Sequence, residues 1–308
     1  MGISPANPLE STLFAPAAAT LGSLLGAVFA VLCLVERHHL GELWRRTLFQ
    51  RWLTWLVIGP LWLAATLGGS LALLALVSTF VFQGLREYAG LTGLPLAHRF
   101  LLLGTGLLAG PVALVSREAF LGLPPLLLLA GTLVPLLSQD ARSGVRHLAF
   151  AALGWAYLPW LLGHLLLLHA YMDGGPGLVL ALGPAVALSD VGAFTVGKLL
   201  GRHRLAQVLS PHKTWEGVAG NLLGAYAGLG LMHFALPEAS RGWLLVTLPP
   251  VVALGAVWGD LLESLLKREF GVKDTGSWLP GFGGLLDRID SLIVVAPLAY
   301  YYLRLVVR

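Results

Sequence analysis

Charge is scarce in this sequence. Its 308 residues include 20 Lys and Arg and 16 Asp and Glu, so 12% are charged and 56% hydrophobic, whereas a globular domain carries about a quarter charged residues. That composition excludes an ordinary soluble domain and indicates an all-α polytopic integral membrane protein. Cysteine is almost absent. Cys33 alone, set in an apolar run, rules out an intrachain disulfide and is expected to be a buried structural thiol. Basic residues are missing from the first twelve positions, where Glu10 is the only charge. The start therefore lacks the basic region of a secretory signal, and the first apolar run is expected to stay in the mature chain. Also lacking are an internal repeat of the transporter kind, a low-complexity tract and a soluble domain.

What is present is a series of apolar runs. Segments 13–35, 53–67, 70–85, 100–116, 119–138, 148–170, 177–200, 217–236, 242–266 and 285–306 suit membrane spans, about ten in all or nine if the second and third merge. Those two are short and joined only through Gly68 and Gly69, which allows either a tight hairpin or one broken span. The chain reads as one membrane domain, with N-terminal helices over 1–147 and C-terminal helices over 148–308 that carry the polar motifs. Lys and Arg gather on the cytoplasmic side of membrane proteins. Connector 36–52 holds Arg37, Arg45, Arg46 and Arg51, 139–147 holds Arg142 and Arg146, and 201–215, just after Lys198, holds Arg202, Arg204 and Lys213. With ten spans these fall on one face together with 267–284, and both termini lie outside. Arg304 and Arg308 weigh mildly against that placement of the ends.

The densest charge lies near the C-terminus, in SLLKREFGVKDTGSWLPGFGGLLDRIDS from Ser264 to Ser291. Ionisable groups beside apolar spans cost several kcal/mol each unless paired, hydrated or ligand-bound. Asp260, Glu263, Ser264 and Lys267 follow i, i+3, i+4, i+7 spacing and share one helix face. Asp287, Asp290 and Ser291 repeat i, i+3, i+4 at the start of the last span, while Gly281, Gly283 and Gly284 allow close backbone approach after Pro280. With Lys267, Arg268, Lys273 and Arg288, this junction suits Mg²⁺ and a phosphorylated ligand. A salt-bridged helical hairpin at the membrane surface is the alternative.

A second polar stretch runs SDVGAFTVGKLLGRHRLAQVLSPHKTWEG, from Ser189 to Gly217. Asp190 lies within an apolar run and needs a partner from elsewhere in the fold. Ser210, Lys213 and Thr214 are phosphate-type donors, yet Thr214 and Glu216 equally suit the start of a helix. His203 and His212, like the pairs His38 with His39 and His164 with His169, lack metal-ligand spacing and are expected at the surface.

These residues carry a resemblance. The run S-x-x-K-R, four residues, K-D, and then P-G-x-G-G-x-x-D-R-x-D-S spans Ser264, Lys267, Arg268, Lys273, Asp274, Gly283, Gly284, Asp287, Arg288, Asp290 and Ser291. It resembles the signature of phosphatidate cytidylyltransferase, or CDP-diacylglycerol synthase. S-P-x-K-T-W-E-G at Ser210 to Gly217 and the D-x-x-A-F stretch at Asp190 to Phe194 resemble that family in the same order. The likeness covers the C-terminal 120 or so residues. It departs at Phe282, where the family usually has His.

The resemblance implies Mg²⁺-dependent transfer of CMP from CTP to phosphatidate, a step of phospholipid biosynthesis, at the cytoplasmic face of a bacterial inner membrane. It implies Asp260 and Asp287 as metal ligands with Asp290 close by, and leaves a second cation open. Lys267 and Arg268 complete the catalytic set and, with Ser264, would hold phosphates. Asp190, Lys213 and Thr214 would help bind CTP, and Ser210, Glu216, Lys273, Asp274, Gly283, Gly284 and Arg288 complete the substrate-binding set. CTP, phosphatidate and the bilayer are the expected partners, without nucleic acid, and a homodimer is compatible. An enzyme acting on another lipid phosphate, a membrane transporter and a non-catalytic scaffold are the alternatives. A transporter should show repeated broken helices and midplane polar residues, whereas these charges gather toward one face.

Overall fold

The computed structural model describes residues 5–36, 47–276, 278 and 283–306. Its helices are α1 (Phe14–Val35), α2 (Thr47–Leu67), α3 (Ser70–Leu91), α4 (Leu96–Val115), α5 (Arg117–Leu121), α6 (Leu123–Leu137) and α7 (Gly144–Trp155). A π-helical turn (Ala156–Trp160) leads into α8 (Leu161–Tyr171), followed by α9 (Gly175–Leu200), α10 (Trp215–Leu231), α11 (Arg241–Glu269) and α12 (Leu286–Val306). Between α9 and α10 lies a small antiparallel hairpin, β1 (Arg204–Ala206) with β2 (Ser210–Thr214).

The helix breaks follow local chemistry. Gly69 at φ +86° turns the chain between α2 and α3, so the two short apolar runs form a hairpin of separate helices. Ser116 starts α5 by accepting the Ala119 N–H at 3.1 Å. Gly122 divides the expected segment 119–138, and prolines follow it at the first turn of α6. Every expected span is helical. Seven helical stretches among the described residues are long and apolar enough to cross a membrane: Phe14–Val35, Ser70–Leu91, Leu96–Val115, Gly144–Tyr171, Gly175–Leu200, Glu238–Glu269 and Leu286–Val306. The expected nine or ten exceeds these seven, because α2 and the shorter α6 and α10 are not among them.

Burial is greatest around α8 and α12, where Leu162, Leu165, Leu166, Ile293, Val295 and Tyr300 are fully enclosed. His164 and His169 are buried here too, which corrects the surface expectation for this pair. Carbonyl partners make that burial tolerable: His164 Nδ1 lies 2.8 Å from Trp160 O, and His169 Nε2 lies 2.9 Å from Thr66 O. His38 and His39 lie outside the described residues. Cys33 is half-buried instead of buried.

The closest helix pair is α9 with α10. Gly220, Gly224 and Gly228, four residues apart, face α9 so closely that a Cβ on any of them would strike Gly192, Leu188 or Ala185. Small residues at this period bring membrane helices into backbone contact, and here they set the position of the α9 segment bearing Asp190.

The polar loops share one end of the helices. Glu87 near the end of α3 bonds to the start of α12, and Arg268 near the end of α11 donates to Leu209 O in the hairpin at 3.2 Å. At the other end of α3, Ala6 N–H donates to Gly68 O at 3.0 Å. Leu303 and Val306, at the end of α12, line a cavity with Met172 and Pro237. Both ends of the described chain thus lie opposite the polar loops.

Candidate active site

Two groups of acidic side chains sit at that polar end. The first joins Asp190 on α9, Asp260 on α11 and Asp290 on α12, which lie within electrostatic range of one another. Lys213, the penultimate residue of β2, forms an ion pair with Asp260. Ser291 Oγ donates to Asp190 Oδ1 at 3.1 Å, and Ser291 N–H donates to Asp290 Oδ1 at 2.8 Å. Arg288 also acts electrostatically on Asp190. This meeting depends on Gly259, where a side chain would collide with the backbone of Asp290 and Ser291.

The second group is built around Asp287 and is richer in hydrogen bonds. Lys267 Nζ lies 2.6 Å from Glu263 Oε2 and 2.9 Å from Asp287 Oδ1, bridging α11 to α12. Asp287 Oδ2 accepts from Gly284 N–H at 2.9 Å, and from the Thr275 N–H and hydroxyl at 3.0 Å each. Buried charge of this kind persists only when partners replace the lost water, and the Asp287 side chain is 2% exposed. The first group instead sets three carboxylates against Lys213 and Arg288, with Ser291 as a hydrogen-bond donor to two of them.

Half of the expected site residues are therefore brought together: Asp190, Lys213, Asp260, Arg288 and Asp290 in one group, Lys267, Gly284 and Asp287 in the other. Asp274 lies beside Gly283, which adopts φ +86°. Ser264 is half-buried on α11, while Lys273 and Arg268 are exposed. Three residues of the upstream motif shape the hairpin. Ser210 opens β2, and Thr214 Oγ1 accepts the Gly217 N–H at 3.1 Å, capping α10. Glu216 Oε1 lies 2.6 Å from His203 Nδ1, and its carboxylate also accepts backbone N–H bonds from Arg202 and His203. The His203 bond, helped by these amides, holds the Glu216 carboxyl down to about 2. Pro280, Gly281 and Phe282 lie outside the described residues.

Two residues escaped the sequence reading. Glu87 on α3 accepts from Leu285 N–H at 3.0 Å and Leu286 N–H at 2.9 Å, at the start of α12. Tyr157, on the π turn, is buried with no hydrogen-bond partner for its hydroxyl among the described residues, and Asp290, Glu263, Asp260 and Asp287 are the acids acting on it. Single π turns recur at functional sites, and Pro159 inside an apolar run was the only local sign of one.

The arrangement can hold phosphate groups through Lys213, Lys267 and Arg288, and hard cations through its carboxylates. Comparison with known proteins points the same way. The model of the cytidylyltransferase family matches residues 49–306. A phosphatidate cytidylyltransferase of Mycobacterium leprae is 42% identical over 139 residues, 45% of this chain and 44% of that protein. The enzyme of that name from Staphylococcus haemolyticus is 36% identical over 160 residues, 52% of this chain and 58% of that protein. That from Staphylococcus saprophyticus is 33% identical over 207 residues, 58% of this chain and 78% of that protein. The chain spans about half the length of the first two relatives. Because the family match takes in every helix from α3 to α12 and both acidic groups, the chain belongs to the cytidylyltransferase family.

Proposed function

We propose that this protein transfers CMP from CTP to phosphatidate, forming CDP-diacylglycerol and releasing pyrophosphate. The observation that carries this reading is the Lys213–Asp260 ion pair. It joins the upstream motif to the C-terminal one, so that two stretches suited to phosphate meet at one place. The relatives' names support the choice of nucleotide and lipid.

The chemistry asks little of a general base. A phosphate monoester has its second pKa near about 6, so an oxygen of phosphatidate is already anionic at neutral pH. That oxygen forms a bond to the α-phosphorus of CTP, and the bond from this phosphorus to the bridging oxygen of the β-phosphate breaks. Pyrophosphate leaves with the electron pair. Positioning and charge neutralisation are the tasks left to the protein. Lys213 and Arg288 lie on the Asp190 side and would draw nucleotide phosphates toward α9, with Asp190 fixed by Ser291. Lys267, Arg268 and Ser264 would receive the lipid phosphate or the departing pyrophosphate.

The donor set fits Mg²⁺ in kind. Asp190, Asp260 and Asp290 are hard oxygen donors that repel one another. Among the described residues no three acidic or His side chains stand converged as a ready-made cage. Of the expected ligands, Asp260 lies in this set with Asp290 adjoining and would share its carboxylate with Lys213, whereas Asp287 belongs to the second group and would join them only by giving up a bond to Lys267, Thr275 or Gly284. When bound, Mg²⁺ supplies charge neutralisation at the nucleotide phosphates.

A membrane-surface site suits one water-soluble and one lipid substrate. Arg142, Arg146, Lys198, Arg202 and Arg204 favour the cytoplasmic face for it. The test is pyrophosphate release by the purified protein with CTP, phosphatidate and Mg²⁺, compared with mixtures omitting each. Release that requires all three is expected. Release without lipid, or none with the complete mixture, would overturn the reading.

A further inference from the structure

The start of α12 is held by a residue from the other half of the chain. A helix exposes its first N–H groups to no internal partner, and here consecutive amides are divided between two carboxylates. Gly284 N–H goes to Asp287 Oδ2 at 2.9 Å, whereas Leu285 N–H goes to Glu87 Oε1 at 3.0 Å and Leu286 N–H to Glu87 Oε2 at 2.9 Å. The Thr275 hydroxyl lies 3.0 Å from Asp287 and 3.4 Å from Glu87, between the two acids. Gln83, one turn back on α3, steadies Glu87 by donating Nε2–H to Oε1 at 2.8 Å. The fit is close: a Cβ on Gly284 would come within 2.6 Å of Glu87 Oε2, and one on Gly276 within 3.1 Å of the Glu87 carboxyl carbon.

We infer that Glu87 is a positioning residue of the site, which sets the Asp287 side chain by taking the amides that Asp287 would otherwise cap. The role rests on the function proposed above. Physically it is a competition. With the Leu285 and Leu286 amides unpaired, the nearest carboxylate able to satisfy them is Asp287 itself, and turning toward them moves it away from Lys267 and Thr275. A carboxylate at a helix N-terminus is also favoured by the helix dipole. Glu87 fills that place from α3, so Asp287 keeps both oxygens on Lys267, Thr275 and Gly284. The α3 helix thereby becomes part of a site whose recognisable motifs lie over a hundred residues away.

The test is Glu87→Gln in the full chain, which keeps the shape but sets an amide NH₂ against a backbone N–H. Amide exchange at Leu285 and Leu286 should become at least about tenfold faster, with exchange in α9 and α10 unchanged. Turnover should fall roughly 30-fold, with KM for CTP and for phosphatidate each within about threefold of normal. Normal turnover or normal exchange at the two amides overturns the inference. So does faster exchange throughout the molecule, which marks Glu87 as a fold-stabilising contact alone. If Glu87→Gln does not fold, Gln83→Leu should show the same local pattern with about a threefold loss of turnover, and no change there overturns it equally. A native protein inactive on CTP and phosphatidate would defeat the proposed function, leaving the exchange measurement to decide the role of Glu87.

Discussion

Ser291 donates its hydroxyl to Asp190 Oδ1 at 3.1 Å across 101 positions of sequence. The bond ties α12 to α9 where an acid stands inside an apolar helix, and α9 leads directly into the hairpin carrying Lys213. If Asp190 serves the nucleotide, Ser291→Ala should raise KM for CTP while leaving KM for phosphatidate nearly unchanged. A hydrogen bond to a charged group contributes about 1.5–3 kcal/mol, so a shift of roughly tenfold or more is expected. Equal shifts for both substrates in steady-state kinetics would place Asp190 elsewhere in the reaction.

Metal dependence is expected through Asp260 and Asp287. Changing either to Asn keeps size and removes charge, and turnover should drop by at least about two orders of magnitude, near 3 kcal/mol in the barrier. Titrating Mg²⁺ into each variant gives the check. An Asp287→Asn protein with near-normal turnover at ordinary Mg²⁺ would remove Asp287 from the ligand set and leave its role to the Lys267 bridge.

Both polar connectors should face the same compartment. Single cysteines placed at the exposed positions His203 and Lys273 in a Cys33→Ala background are expected to label from the same side of sealed, oriented vesicles. The Lys213–Asp260 pair and the Arg268–Leu209 contact require it. Labelling from opposite sides would be incompatible with one site using both motifs.

Helix contact through glycine predicts a contrast along α10. A Cβ on Gly224 would strike the backbone of Leu188 and Ser189, next to Asp190, whereas nothing lies within 4 Å of one on Gly230. Gly224→Ala should cost about 1–3 kcal/mol in overpacking, and Gly230→Ala should be neutral or slightly stabilising. Thermal unfolding in detergent reads the difference, and equal melting temperatures would mean that α9 and α10 can move apart freely.

Much of this architecture was legible from apolar run length, because lipid leaves helices as the main way to satisfy the backbone. The acidic helix faces at Asp260 and Asp287 were legible from i, i+3, i+4 spacing. Glu87 was not. It lies just past the expected span 70–85, and its partners Leu285 and Leu286 are almost 200 residues away, a distance over which periodicity carries no signal. Thr214 and Glu216 were ambiguous for a different reason: the residues that bind phosphate are those that cap helices and fasten turns, and the structure shows them capping and fastening. The glycines of α10 were visible at a four-residue interval, but their meaning depends on which helix comes to face them. At Ala156–Trp160 an α-helix and a π turn share nearly the same apolar pattern, so Tyr157 drew no notice.

Phe282 tests the choice of lipid. It stands where the family resemblance leads to an expectation of His, and the following Gly283 adopts φ +86° beside Asp274 and Asp287. If the native chain is a phosphatidate enzyme lacking one auxiliary contact, Phe282→His should preserve or raise turnover with phosphatidate. If Phe282 instead shapes a pocket for another acceptor, His should lower activity on that acceptor, since burying an aromatic ring contributes roughly 1.5–3 kcal/mol and an unpaired imidazole adds a desolvation cost. Both forms should be assayed against a panel of phospholipid and polyprenyl phosphates. Phosphatidate is expected to be the best acceptor for the native chain. Native inactivity on phosphatidate, with activity on another phosphate that Phe282→His abolishes, would replace phosphatidate as the acceptor while retaining attack on the α-phosphorus of CTP.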